Sequence, residues 1–422
     1  MPLESIRGRR GAAPSEAGTV IENMPTRSCA GRRRGRVALA AALVAAWLPA
    51  QTPAPGSAAA LKPLPKNRHT HEYESRGSFL EAAAAFEADR LRRQRVSVSA
   101  EAARFSAAAF AVTVAPGQEL RFVRIPAGRY VDGLTPEVKE RLFATANRAG
   151  DLRRWESSVE TTPRPWVTVP YDFFMSEVIV TNAMFAAFAR ETGYRTTVSR
   201  YQTGWIVTRE AQWLQGFANE YDHQVPPFSE GDHPVVQVSW FDAMQFAAWL
   251  SRKAGVMLRL PTKEEWLLAG QPVQPPDAPG AFPWGNDFER LDRRMNFGTR
   301  ELDYAWVHDQ YADGHAFTSP VRAYPPDSRG LHDMLGNVWV WNWTNAARYE
   351  ARPRHDRTAR PPRFEQLEAG RNVALAMQGG CYLARLSHAH RFSRMSHPAL
   401  DGAEDIGFRL VAVRQADSGW PE

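Results

Sequence analysis

The chain has 422 residues, of which 44% are apolar, and a formal net charge of +6. Arg7, Arg9, Arg10, Arg27, Arg32, Arg33, Arg34 and Arg36 against Glu4, Glu16 and Glu22 put +5 of that charge into the first 36 residues, leaving +1 for the remainder, so the basic balance points to no nucleic-acid partner. Of two cysteines, Cys29 would leave with a leader, and Cys381 alone can form neither an intramolecular disulfide nor a Cys-based zinc or iron–sulfur site.

In chain order, residues 32–48 (RRRGRVALAAALVAAWL) join a basic region to an apolar run from Val37 to Leu48. That run falls short of the roughly 20 residues of a membrane span and fits a secretory signal peptide, cleaved near Ala50 or within Ser57–Ala60. Arg33-Arg34 allows a twin-arginine type, although Gly35-Arg36-Val37 departs from its usual pattern. An uncleaved anchor and a start at Met24 are the competing readings. Residues 1–60 are thus expected to be signal peptide and Pro/Ala-rich linker, the location periplasmic or secreted, and no stable span to remain after cleavage. Residues 61–119 read as a helical extension, with Phe79, Leu80, Ala83 and Phe86 at helical spacing.

The main domain is expected over 120–415, followed by a tail at 416–422. Phe122 to Gly128 reads as a strand ending in a turn. A short helix is expected at 136–148 and a strand from Tyr171 to Val180. Thr181 then caps a helix that runs to Thr192 and stops at Gly193. Residues 195–232 read as irregular. Ser239 caps a helix burying Phe241, Ala243, Met244, Ala247, Ala248 and Trp249. Pro261-Thr262 opens another, with Glu264-Glu265 complementing its dipole. From 282 to 413 the pattern is loops with short strands. Within it, Gly336-Asn337 signals a turn, and Trp339, Trp341 and Trp343 alternate as the buried face of one strand. The class is α+β and loop-rich, a build that needs something to pin its loops, and a bound cation is one such device.

Six stretches in order carry a family resemblance: FFMSEVIVTNAMFAAFARETGY at 173–194, HPVVQVSWFDAMQFAAWL at 233–250, LRLPTKEEWLLAG at 258–270, FPWGND at 282–287, GLHDMLGNVWVW at 330–341, and MQGGCYLARLSHAHRFSRMSHPALDGAEDIGFRLV at 377–411. Together they resemble the formylglycine-generating enzyme, or sulfatase-modifying factor, family. The resemblance implies a loop-rich variant of the C-type-lectin-like fold. It also implies an oxidase that holds copper on two cysteines and converts a substrate Cys to formylglycine. Those cysteines align with Ala384 and Ala389 here, and alanine ligates no metal, so copper is not expected and the chain reads as a divergent member. The family's calcium ligands match Asn296, Phe297, Asp313 and His315, an oxygen set suited to one structural calcium ion. A second family ion site matches Asp333, Gly336 and Val338 but has Val340 in place of its acidic ligand.

The remaining chemistry lies near the alanines. Cys381, His388, His390 and Arg391 are the candidate catalytic residues, and Arg385, Arg394, His397 and Trp341 the candidate substrate-binding residues. On an extended segment His388 and His390 would share a face and chelate a redox metal, although hydrogen-bonded pocket histidines read equally from the pattern. Cys381 would be a nucleophile or redox thiol if nearby cations lower its pKa, and a small buried residue otherwise. Arg391 and Arg394 would bind an acidic substrate or pair with Asp401, Glu404 or Asp405. The expected function is an exported oxidative tailoring or maturation factor acting on a peptide or exported protein without the copper–cysteine mechanism. The alternative is a non-catalytic binding or accessory module for a peptide, glycan or partner protein. The sequence gives no oligomeric state.

Overall fold

The computed structural model describes residues 104–145, 164–201, 203–207, 213–217, 228–272, 280–302, 307, 310–345, 357–359 and 374–414. The expected signal peptide, linker and tail, and the extension before residue 104, lie outside them. The described residues all fall in one unit, Leu61–Glu422.

A five-stranded sheet gathers strands from across this unit: β1 (Ala109–Ala115), β2 (Gln118–Ile125), β5 (Phe173–Ser176), β15 (Val411–Val413) and β8 (Met257–Arg259), in that order and antiparallel throughout. β1 and the start of β2 correct the helical reading over residues 109–119. Phe110, Val112 and Val114 are buried at period 2, and the strand pairs with β2 as a hairpin. The strand expected from Tyr171 to Val180 is shorter, because Ser176 Oγ donates to Val178 O (2.9 Å) where pairing ends. β3 (Gly128–Val131) and β4 (Trp166–Val169) form a small antiparallel ladder, with α1 (Pro136–Thr145) between them in sequence and the two-residue β10 (Arg357–Thr358) parallel to β4 on its other side.

The helix caps follow the sequence. α2 (Asn182–Thr192) starts with Thr181 Oγ1 accepting from Met184 N and ends on Gly193 at φ 66°. α3 (Thr197–Tyr201) and the paired strands β6 (Gly204–Val207) and β7 (Trp213–Phe217) occupy the stretch expected to be irregular. α4 (Trp240–Ala254) opens on a capping box of Ser239 and Asp242 and packs on β1 and β8. Asp242, fully buried, also accepts from Tyr194 Oη (2.8 Å) and Thr197 N (2.7 Å), tying α4 to the turn after α2.

α5 (Lys263–Ala269) has the capping box Thr262–Glu265, but Glu265 does more than complement a dipole. Its carboxylate is fully buried and takes Arg259 bidentately, Nη1 to Oε2 and Nη2 to Oε1, both 2.7 Å. Thr262 N (2.8 Å) and Tyr171 Oη (3.0 Å) donate to it as well. The edge of the main sheet is thereby bolted to α5.

The tryptophan strand, β9 (Trp339–Asn345), is central in a second sheet, between β11 (Ala374–Gln378) and the short parallel β14 (Ile406–Gly407), with β12 (Arg394–Pro398) outside β11. Both of its faces are buried: Trp339, Trp341 and Trp343 on one, Val340 and Asn342 on the other. Trp341 Nε1 donates to Val238 O (3.0 Å), the partner that a buried indole requires. A two-residue strand β13 (Gly402–Ala403) runs parallel to β6.

The Arg259–Glu265 bond carries a prediction. Burial alone would raise the Glu265 carboxyl, but Arg259 and the other donors hold it below its ordinary value, so its stabilisation is present above the ordinary carboxylate range and is lost as pH falls through the folded-state value. Glu265→Gln, which leaves Arg259 buried without a counter-charge, should cost about 3–5 kcal/mol of unfolding free energy near neutral pH, read as a shifted denaturant midpoint. A midpoint unchanged from wild type would show that the bond does not hold the fold.

Candidate functional site

The segment 379–391 folds around the turn before β9. Gly336 sits at φ 76°, and a Cβ there would lie 2.2 Å from Asn296 O, so only glycine fits. Gly336 N donates to Gly379 O (2.8 Å), Tyr382 N to Asn337 O (2.9 Å), Asn337 N to Asn296 O (2.8 Å) and Gly298 N to Ala384 O (2.8 Å). Gly380, at φ 77°, brings the chain within 2.9 Å of His388 O, measured from the position of a Cβ. The segment is therefore a tight double turn, and Leu386–His388 is one turn of 3-10 helix rather than an extended run. That corrects the premise that put His388 and His390 on one face.

The candidate catalytic residues part company. Cys381 is buried, its Sγ donates to Asp405 Oδ2 (3.3 Å), and burial followed by the Asp405 charge pushes the thiol well above its ordinary pKa. This is the setting of a protonated thiol, the opposite of the low-pKa environment a nucleophile needs. His390 is buried and its Nδ1 accepts from Phe392 N (3.2 Å). His388 is half-buried at the end of the turn, pushed down to about 4 by burial and then by Arg385. Arg391 is buried against backbone: Nη2 donates to Leu267 O (2.8 Å), in the last turn of α5, and Nη1 to Gly280 O (3.1 Å). It fastens this segment to the C-terminal end of that helix, where a cation is favoured. Ala384 and Ala389 are buried in the core.

The substrate-binding candidates fare differently. Trp341 is fully buried and forms a wall. Arg385 and Arg394 are half-buried, Arg394 opposite Gln378 at the start of β12. His397, further along β12, keeps 20% of its side chain exposed. Its ring meets Trp205 (6.0 Å between centroids) and Trp341 (6.3 Å) edge-on, and its Nδ1 lies 3.6 Å from Asp401 Oδ2. Asp401 is buried, accepts from Trp205 Nε1 (3.0 Å), and is pushed up to about 7 by burial. Sequence reading offered Asp401 only as a partner for an arginine and missed Trp205. Their contact with His397 depends on β13 pairing with β6, a register that no local motif signals.

The calcium candidates come together. Asp313 Oδ2 accepts from Phe297 N (3.0 Å) and Oδ1 from His315 N (2.9 Å). Asn296 is fully buried with Nδ2 donating to Phe317 O (2.7 Å), while its Oδ1 is buried without a hydrogen-bond partner. An orphan buried amide oxygen on the residue before Phe297, whose amide donates to Asp313, and a carboxyl that burial pushes up to about 6 are features a hard cation would satisfy, so the residues fit calcium. The second set does not fit in the same way. Val340 is fully buried, and Asp333, with both carboxyl oxygens buried and unbonded, is pushed up to about 8 by burial. The positive charges acting on it are Arg409 and then Arg322; Arg409 donates to Ser176 O (3.2 Å), Asp333 O (3.1 Å) and His332 O.

Among the described residues, three His, Cys, Asp or Glu side chains converge in one place, at Glu230, Asp232 and His233. His388 and His390 belong to no such group.

Residues 111–414 match the model of the sulfatase-modifying factor enzyme 1-like domain. The chain is 30% identical over 267 residues to the formylglycine-generating enzyme of Thermomonospora curvata, covering 57% of this chain and 82% of that protein. It is also 30% identical over 320 residues to the inactive C-alpha-formylglycine-generating enzyme 2 of Bos taurus, covering 70% of this chain and 89% of that one. The solved structure of PvdO from Pseudomonas aeruginosa superposes with a TM-score of 0.48 at 20% identity, over 72% of this chain and 97% of that chain. From the match of residues 111–414 to the family model and from the relatives at 30% identity, the chain belongs to the sulfatase-modifying factor enzyme 1-like family.

Proposed function

We propose that this chain is an exported accessory or maturation factor that recognises a peptide or an exported protein and does not run the copper–cysteine oxidation of its relatives. The observation that carries the proposal is the pair Ala384 and Ala389, buried where that chemistry needs two thiolates. The neighbouring groups support it. Cys381 is a protonated buried thiol, and His390 and Arg391 are bonded to backbone. A redox metal held jointly by His388 and His390 would need both rings on one face, against the 3-10 turn. The relative named as inactive agrees with loss of the oxidation. Export rests on the leader-like residues 32–48. No described helix is long and apolar enough to cross a membrane.

The recognition surface in this proposal is the corner of His397, Asp401 and Trp205, with Trp341 behind it. A second reading gives this corner chemistry. A half-buried imidazole beside a carboxyl pushed up to about 7 is a pair able to share a proton near neutral pH, and so to act as general acid and base on a bound peptide. The test uses a fluorescent cysteine-containing peptide of the kind the family oxidises, with copper(I) and oxygen. The peptide should bind with its cysteine unchanged by mass spectrometry, and His397→Ala should weaken binding by roughly tenfold, or about 1.4 kcal/mol. A formylglycine product, or binding unaffected by His397→Ala, would overturn the proposal.

Calcium in this reading pins the loops around Asn296 and Asp313, with Phe297 and His315 offering carbonyls. Calcium at a hundredfold excess over its Kd should add about 2.7 kcal/mol to stability relative to chelator. Asp313→Asn should remove the increment. Identical melting in calcium and in chelator would rule the ion out.

A further inference from the structure

A cluster outside the family pocket carries its own chemistry. The turn before α4, residues 228–233, is held almost entirely by its carbonyls. Asn182 Nδ2 donates to Phe228 O (2.7 Å) and Glu230 O (2.9 Å). Ala183 N donates to Gly231 O (3.0 Å), Val321 N to Asp232 O (3.0 Å) and Asn182 N to His233 O (3.0 Å). A backbone fixed at five carbonyls within six residues leaves the side chains of Glu230, Asp232 and His233 to serve something else. One ligand atom from each lies within 4.8 Å of the other two.

The histidine points to what that is. Its residue is 6% exposed, and among the described residues its imidazole makes one hydrogen bond, Nδ1 with Thr318 Oγ1 at 3.0 Å. Among the described residues no hydrogen bond or ion pair within 4.0 Å reaches the other ring nitrogen. A buried imidazole anchored on one nitrogen by a hydroxyl, with two carboxylates within 4.8 Å of a ring nitrogen, has the ordering of a metal ligand and its outer-shell support. Bonds of about 2.0–2.2 Å to a common ion would bring the donors to roughly 3–3.5 Å of one another, a contraction that exposed Glu230 and Asp232 can make.

We propose that Glu230, Asp232 and His233 bind a divalent first-row cation, with zinc as the ion of reference. One nitrogen and two carboxylate oxygens suit zinc; copper(I) prefers thiolates, and calcium takes six to eight oxygens. Three protein ligands leave a coordination position for water or an outside donor. Phe228, at the start of the same turn, packs on Phe317 (5.4 Å), the exposed large apolar side chain among the described residues. The site is separate from the Asn296–Asp313 set and stands whether or not the proposed recognition at His397 holds.

The test is a zinc titration of the full, untagged chain against a chromogenic chelator, in saturating calcium so that oxygen-only sites are filled. Wild type should take up one zinc ion with micromolar affinity or tighter. The exposed double variant Glu230→Gln/Asp232→Asn, which leaves the buried histidine and the fold in place, should lose roughly tenfold or more, and Thr318→Val, which frees Nδ1, should lose roughly tenfold. Circular dichroism would confirm that both variants are folded. No uptake by wild type, or uptake at equal affinity in the double variant, would overturn the assignment.

Discussion

The buried ion pair of Arg259 and Glu265 is the constraint on which the other features rest. Neither side chain is exposed, and two bonds of 2.7 Å join them. A charge buried this completely is tolerable only when its partner and hydrogen bonds are complete, so the pair fixes where α5 begins relative to β8. Thr262 and Tyr171 supply further donors. Removing either charge would strand the other in the core, and the short helix has too few residues to hold its place by propensity alone.

From that helix the consequences run to the pocket. The last turn of α5 presents Leu267 O to Arg391, and Arg391 in turn fixes the segment that holds Ala384, His388 and Ala389. Side chains that look reactive in sequence are thus engaged in building. Arg391 caps a helix, His390 accepts a backbone amide, and Cys381 is tied to Asp405. The groups that keep contact with solvent are at the edge, on β12 and the turn after it, where His397 meets Asp401 and Trp205. Ala384 and Ala389 are themselves buried, packed within the core.

Much of the fold was legible because its signals are local. Thr181, Gly193, Ser239 and Thr262 mark helix ends through bonds to residues three or four places away, and the structure uses each of them as read. β1 was missed although Phe110, Val112 and Val114 alternate, because Ala109, Ala111 and the Ala-rich stretch before them favour a helical reading. The site was less legible because its geometry is not local. The partners of Arg391 are carbonyls near α5, the partner of His397 arrives with the strand pairing of β13 and β6, and the turn that separates His388 from His390 follows from Gly380. The Asn296–Asp313 grouping was reached through family resemblance rather than spacing, and the orphan Oδ1 of Asn296 is what the structure adds to it.

The central claim is that this pocket has exchanged thiolate chemistry for packing. Competition for copper(I) against a colorimetric copper(I) chelator tests it most directly, with wild type compared with Ala384→Cys/Ala389→Cys. Wild type should take no copper(I) from the chelator, and the double variant should acquire one tightly held ion as two thiolates return to the site. Stoichiometric copper(I) retained by wild type would contradict the account, since Cys381 and the histidines would then hold the metal without the two thiolates.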